Sequence, residues 1–194
     1  MLRLFATLAF CLATSAGHAE PPSAETIILV RHAEKPAAGL GQLSCQGLNR
    51  ALALPAVLLR KFGRPDAIFA PDPAIAKPDH GQTFDYVRPL ATIEPAAIAY
   101  GRPVDASLGY ADIKGLQARL SSPALRNATV FVAWEHTAAT ALARALVGKA
   151  AVVPAWNSAD FDSIYVIRMT RGEKPGVTFE RQNEALDGLS ANCP

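Results

Sequence analysis

Residues 26–35 read Thr-Ile-Ile-Leu-Val-Arg-His-Ala-Glu-Lys. Five β-branched or apolar residues in a row, Thr26 to Val30, show no alternation with polar ones. A strand covered on both faces needs such a run, and sheets covered on both faces are largely parallel, with helices in the outer layers. The run stops abruptly at Arg31-His32, so the charged pair sits at a carboxyl strand end, where open α/β sheets place their ligands.

The rest of the chain continues the alternation. A Gly-rich loop, residues 38–42, leads to Ser44, a helix N-cap, and leucines 48, 52, 54, 58 and 59 mark a helix over 45–62. Pro55 predicts a kink there or two shorter helices, and Gly63 ends the segment. Further strands are expected at 67–70, 129–133 and 164–167, with an edge strand at 177–180; helices are expected at 84–99, with a break near Pro89 or Pro95, at 112–120 and at 137–147. The segment from Pro71 to about Gln82 reads as a polar loop, and 72–82 and 100–110 as the rim of a pocket. The pattern predicts one α/β domain, a three-layer sandwich with a largely parallel central sheet.

Composition narrows the class. Half of the 194 residues are hydrophobic, which excludes a disordered chain, and a net charge of +2 without a Lys/Arg block excludes an electrostatic footprint for nucleic acid. The start has Arg3, an apolar run from Leu4 to about Ala13, and Gly17-His18-Ala19, the layout of an export signal cleaved after Ala19. The apolar run is too short to span a bilayer, and no stable membrane insertion is expected. The domain is therefore expected over 20–194 in a periplasmic or secreted protein. Cleavage removes Cys11 and leaves Cys45 and Cys193, either as a disulfide between the tail and the first long helix or as two free thiols.

Three strand ends carry chemistry: Arg31-His32-Ala33-Glu34-Lys35, Pro71-Asp72-Pro73 and Trp134-Glu135-His136. Leu29 to Lys35 resembles the Arg-His-Gly/Ala-Glu signature of the histidine phosphatase superfamily, which has the phosphoglycerate-mutase-like fold. Leu43-Ser44-Cys45-Gln46-Gly47-Leu48-Asn49-Arg50-Ala51 is similar to its next helix start, Arg88-Pro89-Leu90-Ala91-Thr92 to its second Arg-containing helix, and Glu135-His136 to the strand end bearing its second histidine. The resemblance spans residues 26–147, in the family's order.

It implies a metal-independent, cofactor-free phosphatase acting on a phosphorylated small molecule or phosphoprotein. His32 would be the nucleophile, Arg31 and Arg88 the phosphate clamps, and His136 the second histidine. These residue types suit phosphoryl transfer, because an imidazole attacks phosphorus and leaves again, and guanidinium groups offer paired donors to phosphoryl oxygens at any working pH. The chain departs from the pattern in a longer loop before Arg88, which leaves Arg102 as an alternative clamp, and in Glu135 standing where a small residue is usual. The leaving-group acid is assigned to Glu135, with Asp112 and Glu34 as alternatives. Two other readings are a phosphate-binding module without turnover and a metal site on His32, Glu135, His136 and Asp72; the latter is opposed by Arg31 and by the lack of a close ligand pair.

Overall fold

The computed structural model describes residues 24–170 and 175–194; the export signal read at residues 1–19 lies outside them. Strand β1 (Ala24–Arg31) pairs in parallel with β6 (Thr129–Trp134), and β6 with β2 (Ala67–Pro71), which pairs in parallel with β5 (Val104–Leu108). On the other side β7 (Ser163–Thr170) runs antiparallel to β1, and β8 (Gly176–Asn183) antiparallel to β7. The sheet order is β5-β2-β6-β1-β7-β8, parallel over four strands and mixed at one edge.

Two helices cover each face. Ile28 and Val30 pack with Leu54 and Leu58 of α1 (Cys45–Phe62) and Ile93 of α2 (Arg88–Tyr100). Ile27 and Leu29 point the other way, into a core with Leu116 of α3 (Ile113–Leu120) and Leu142 of α4 (His136–Val147). All four β1 residues are buried; each fully buried side chain of this size contributes about 1.5–3 kcal/mol, which is why this run carries no polar alternation.

Several local expectations are revised. Helix α1 starts behind Ser44, whose hydroxyl accepts from Gly47 N at 3.1 Å, and runs as one helix through Pro55 rather than as two. The Tyr100 hydroxyl donates to the Pro55 carbonyl, tying α1 to α2 at that point. Helix α2 begins at Arg88, not near residue 84, and continues through Pro95. Pro89 is harmless in the first turn, where amides have no helical partner. The stretch read as a polar loop contains a hairpin, β3 (Lys77–Asp79) and β4 (Gln82–Phe84), forming a two-stranded sheet of its own. His80 and Gly81 join the strands with φ of 48° and 80°, the left-handed pair that two-residue hairpin turns use. Strand β5 lies in a segment assigned to the pocket rim; its Val-Asp-Ala-Ser-Leu pattern is that of a half-buried edge strand.

The C-terminal tail is fastened to α1. Cys45 and Cys193 form a disulfide, and Asn49 Nδ2 donates to the carbonyls of Ser190 at 2.9 Å and Asn192 at 2.8 Å. Buried Arg50 pairs with Glu34, Glu184 and Asp187 at 2.8–2.9 Å and with Asp162 at 3.4 Å. Among the described residues no helix is long and apolar enough to cross a membrane.

Candidate active site

Parallel register decides which side chains meet. Arg31 pairs with Trp134 across β1 and β6, and His32 N donates to Trp134 O at 2.9 Å, so the two strands end side by side. The chain leaves β1 through His32 and leaves β6 through Glu135 into α4, whose first residue is His136. Arg88 enters from the start of α2, while the β3–β4 hairpin brings Lys77 and Asp79.

His32 is 3% exposed. Its Nδ1 lies 2.8 Å from the Ala33 carbonyl oxygen, which can only accept. The proton is therefore on Nδ1, and among the described residues the Nε2 lone pair has no partner. Burial pushes the imidazole down to about 3, against the Ala33 hydrogen bond and assisted by the positive charges of Arg88 and Arg31. His32 is thus a neutral imidazole across the physiological range. Tyr86 stands edge-on to its ring at 6.1 Å between centroids, and Phe161 flanks it at 6.2 Å. Ala33 N donates to Thr92 Oγ1 at 2.9 Å, fixing the loop behind His32 to α2.

The two arginines are held differently. Arg31 donates from one Nη to the carbonyls of Ser158 at 2.7 Å and Asp160 at 2.9 Å, and its guanidinium lies 3.7 Å from the centroid of Phe161. These partners are neutral, so they leave the Arg31 charge uncancelled. Arg88 instead donates to Asp79 Oδ2 at 2.6 Å and to Gly39 O at 3.4 Å. Asp79 also binds Lys35 Nζ at 2.8 Å, and both cations hold its carboxyl below the usual carboxylate range despite burial. Gly39, at φ 79°, makes this fit: a Cβ there would collide with the Asp79 carboxylate. Among the described residues, buried Arg31 Nε, Arg88 Nε and Tyr86 Oη have no partner in hydrogen-bonding geometry. Two of these three are cationic donors, and all border His32; together they suit an oxyanion with several oxygens.

His136 is half-buried, with Nδ1 2.6 Å from Glu135 Oε1. Burial lowers its proton affinity, opposed by the Glu135 charge. Glu135 caps α4, its Oε2 accepting from Ala138 N at 2.9 Å. The helix amides and the His136 charge hold the Glu135 carboxyl below its ordinary range against the opposing effect of burial. A leaving-group acid needs the opposite shift, so this environment favours the Glu135 carboxylate over the protonated acid that the donor role expected from the sequence requires. The alternatives are also occupied: Asp112 caps α3 through Gly115 N at 2.9 Å, and Glu34 is bound by Arg50. Arg102 donates to Pro65 O beside the amino ends of β2 and β5, away from the carboxyl ends that carry His32. Asp72 is engaged in its own turn through Ala74 N.

Sequence reasoning assigns no role to Asp79, Tyr86, Thr92 or the 157–161 loop around Arg31. Thr92 has a signal, the Arg-x-x-x-Thr spacing; Asp79 and Tyr86 have none, because their place depends on the hairpin folding back. Trp134 and Trp156 are buried in the core, and Asp160 forms a turn through Asp162 N and Ser163 N. Among the described residues no three His, Cys, Asp or Glu side chains are grouped to hold a metal ion.

No family model matches the chain, and no curated protein does. Solved structures do. The chain is similar to the protein histidine phosphatase SixA complexed with tungstate, at 15% identity and TM-score 0.57, over 82% of this chain and 97% of that one. It is also similar to the mycobacterial glucosyl-3-phosphoglycerate phosphatase in complex with inorganic phosphate, at 16% identity and TM-score 0.54, over 80% and 95%. A mycobacterial hydrolase matches at 15% identity and TM-score 0.55, over 81% and 90%. The chain therefore has the phosphoglycerate-mutase-like α/β fold shared by these phosphatase structures.

Proposed function

We propose that the protein is a member of the histidine phosphatase superfamily that hydrolyses phosphomonoesters through a phosphohistidine on His32, without a metal ion. One observation carries the reading: among the described residues, a neutral imidazole with no partner on Nε2 stands beside buried cationic donors that lack partners. The fold shared with phosphatase structures supports it.

The Nε2 lone pair attacks phosphorus in line, forming the P–N bond as the ester P–O bond breaks toward the leaving oxygen. Water then attacks phosphorus, the P–N bond breaks back to Nε2, and inorganic phosphate leaves. Charge on the phosphoryl oxygens meets Arg31, Arg88 and His136, which are preorganised around His32 and do the work a divalent cation does elsewhere. Glu135, with Oε1 2.6 Å from His136 Nδ1, acts through His136 as a positioning residue by favouring the charged form of its ring. A bound phosphoryl dianion raises the proton affinity of His136, and the leaving oxygen departs as an anion that takes its proton from water.

Hydrolysis of p-nitrophenyl phosphate by purified residues 20–194, with EDTA present and His32→Ala alongside, tests this. Wild-type turnover that the variant loses by at least about a thousandfold is expected, with an acid-labile phosphoryl label on the wild type. Vanadate binding without hydrolysis of any phosphomonoester would make the chain a binding module instead, and a rate lost to EDTA and restored by Zn²⁺ would remove the metal-free mechanism. Export through residues 1–19 belongs to the same proposal: the Cys45–Cys193 disulfide is of the kind oxidising compartments maintain. Mass spectrometry of the secreted or periplasmic protein, expected to begin at Glu20, checks it.

A further inference from the structure

Two loops carry the phosphoryl site, the one after β1 with His32 and the 157–162 loop that holds Arg31, and one buried side chain is bonded to both. Arg50, on α1, is 1% exposed and donates from all three of its nitrogens. Its Nε donates to both Glu34 oxygens at 3.0 Å, and Nη2 donates to Glu34 at 2.8 Å and to Asp187 at 2.9 Å. Its Nη1 donates to Glu184 at 2.8 Å and to Asp162 at 3.4 Å. A guanidinium is a rigid planar fork, so acceptors on its different nitrogens are held at a set angle to one another.

Glu34 leads to the nucleophile. The Ala33 carbonyl that lies 2.8 Å from His32 Nδ1 belongs to the peptide unit joining Ala33 to Glu34. That unit is planar, so fastening Glu34 restricts where the Ala33 oxygen points, and with it the His32 ring. Glu34 is fastened at both ends, by Arg50 on its carboxylate and by Ser44 N, which donates to its carbonyl at 2.9 Å. Asp162 leads to Arg31. Its N donates to Asp160 Oδ1 at 3.0 Å, and Asp160 O accepts from Arg31 Nη1 at 2.9 Å. Asp162 is itself pinned, its Oδ1 accepting from Leu186 N at 2.7 Å and its carbonyl from Glu184 N at 2.7 Å.

We propose that Arg50 is a positioning residue for phosphoryl transfer, orienting the His32 ring through Glu34 and aiming Arg31 through Asp162. This rests on His32 being the phosphoryl site. The two branches can be cut separately. Wild type, Glu34→Gln, Asp162→Asn and Glu184→Gln are compared at pH 7 by kcat/KM for p-nitrophenyl phosphate and by calorimetric titration with inorganic phosphate. Both constants are referred to the folded fraction given by urea denaturation. Glu34→Gln is expected to lower kcat/KM at least about tenfold while phosphate affinity changes less than about twofold, because in-line attack is more sensitive to alignment than binding is. Asp162→Asn is expected to weaken phosphate about tenfold, the worth of one charge-assisted contact, and to lower kcat/KM with it. Glu184→Gln is the control on the same guanidinium. Burial pushes the Glu184 carboxyl up to about 8, so this change removes no charge at pH 7, and both constants are expected to stay within about twofold of wild type.

Lowered urea midpoints with both constants unchanged would make Arg50 a structural brace and overturn the proposal. An equal loss of phosphate affinity in the two branch variants, the same defects in Glu184→Gln, or failure of both branch variants to fold overturns it as well. Where one branch variant does not fold, the other decides, since each defect is expected separately. Turnover by a wild type whose variants match it removes the Arg50 role and leaves the phosphatase reading standing. Phosphate binding without turnover removes the phosphatase reading, and the Arg31 branch is then decided by affinity alone. A wild type that neither binds phosphate nor hydrolyses the ester removes both.

Discussion

At the scale of single residues, His32 is the informative one, because its environment fixes a protonation state. Folding lowers its imidazole from the ordinary 6.5 to about 3. Between those values the unfolded chain binds a proton that the folded chain refuses, so the contribution is fully present above pH 6.5 and is lost as pH falls toward 3. At its steepest the loss is about 1.4 kcal/mol per pH unit. Urea denaturation at pH 7.5, 5.5 and 4.5 should show His32→Ala losing stability on acidification less steeply than wild type; equal slopes would mean the imidazole is not buried neutral. Neither Glu135 nor Asp79 is held protonated for the leaving group, both being shifted downward. Rates should therefore depend steeply on the leaving group, aryl phosphates outrunning alkyl phosphates by at least about a hundredfold in kcat, a weight general acids commonly carry. A flat series would reveal a proton donor that this geometry does not contain. Arg31, His32 and His136 are legible in the sequence because strand ends are legible. The state of Glu135 is not, since it follows from α4 amides that exist only once the helix has formed.

At the scale of elements, the β3–β4 hairpin is least legible and matters most to the site. Strands of three residues, Lys-Pro-Asp and Gln-Thr-Phe, are too short and polar to show a period, and the left-handed His80 disguises the turn that Gly81 completes. Runs such as 26–30 and 129–133 announce themselves because both faces are buried. The hairpin's grip on the site is the Asp79–Arg88 pair, both side chains more than nine-tenths covered. Asp79→Asn leaves a buried guanidinium without its counter-charge, and a loss of about 3 kcal/mol is expected. Saturating phosphate should then restore more melting temperature to the variant than it adds to wild type, because the ligand supplies the missing anion. Equal shifts in differential scanning fluorimetry would show that phosphate does not reach Arg88.

At the scale of the molecule, the tail is half legible: two cysteines allow a bond that spacing alone cannot choose. The disulfide closes a loop across 148 residues of sequence, and Asn49 and Arg50 fasten the same segment on the same helix. Breaking the bond by Cys193→Ser should cost about 2–4 kcal/mol, a fall of roughly 10 °C in melting temperature. An unchanged thermal transition would show that the hydrogen bonds alone hold the tail.

The two-stranded sheet of the hairpin exchanges no backbone ladder with the six-stranded one. Its sequence can therefore be rewritten almost as one rewrites an antibody loop, with the framework left alone, provided an acid stays opposite Arg88. Libraries confined to residues 77–84 with Asp79 held constant would sample new ligand preferences while hydrophobic packing, and with it expression yield, stays that of the parent. The fold thus carries a cassette: a short replaceable insert on a chemically committed base.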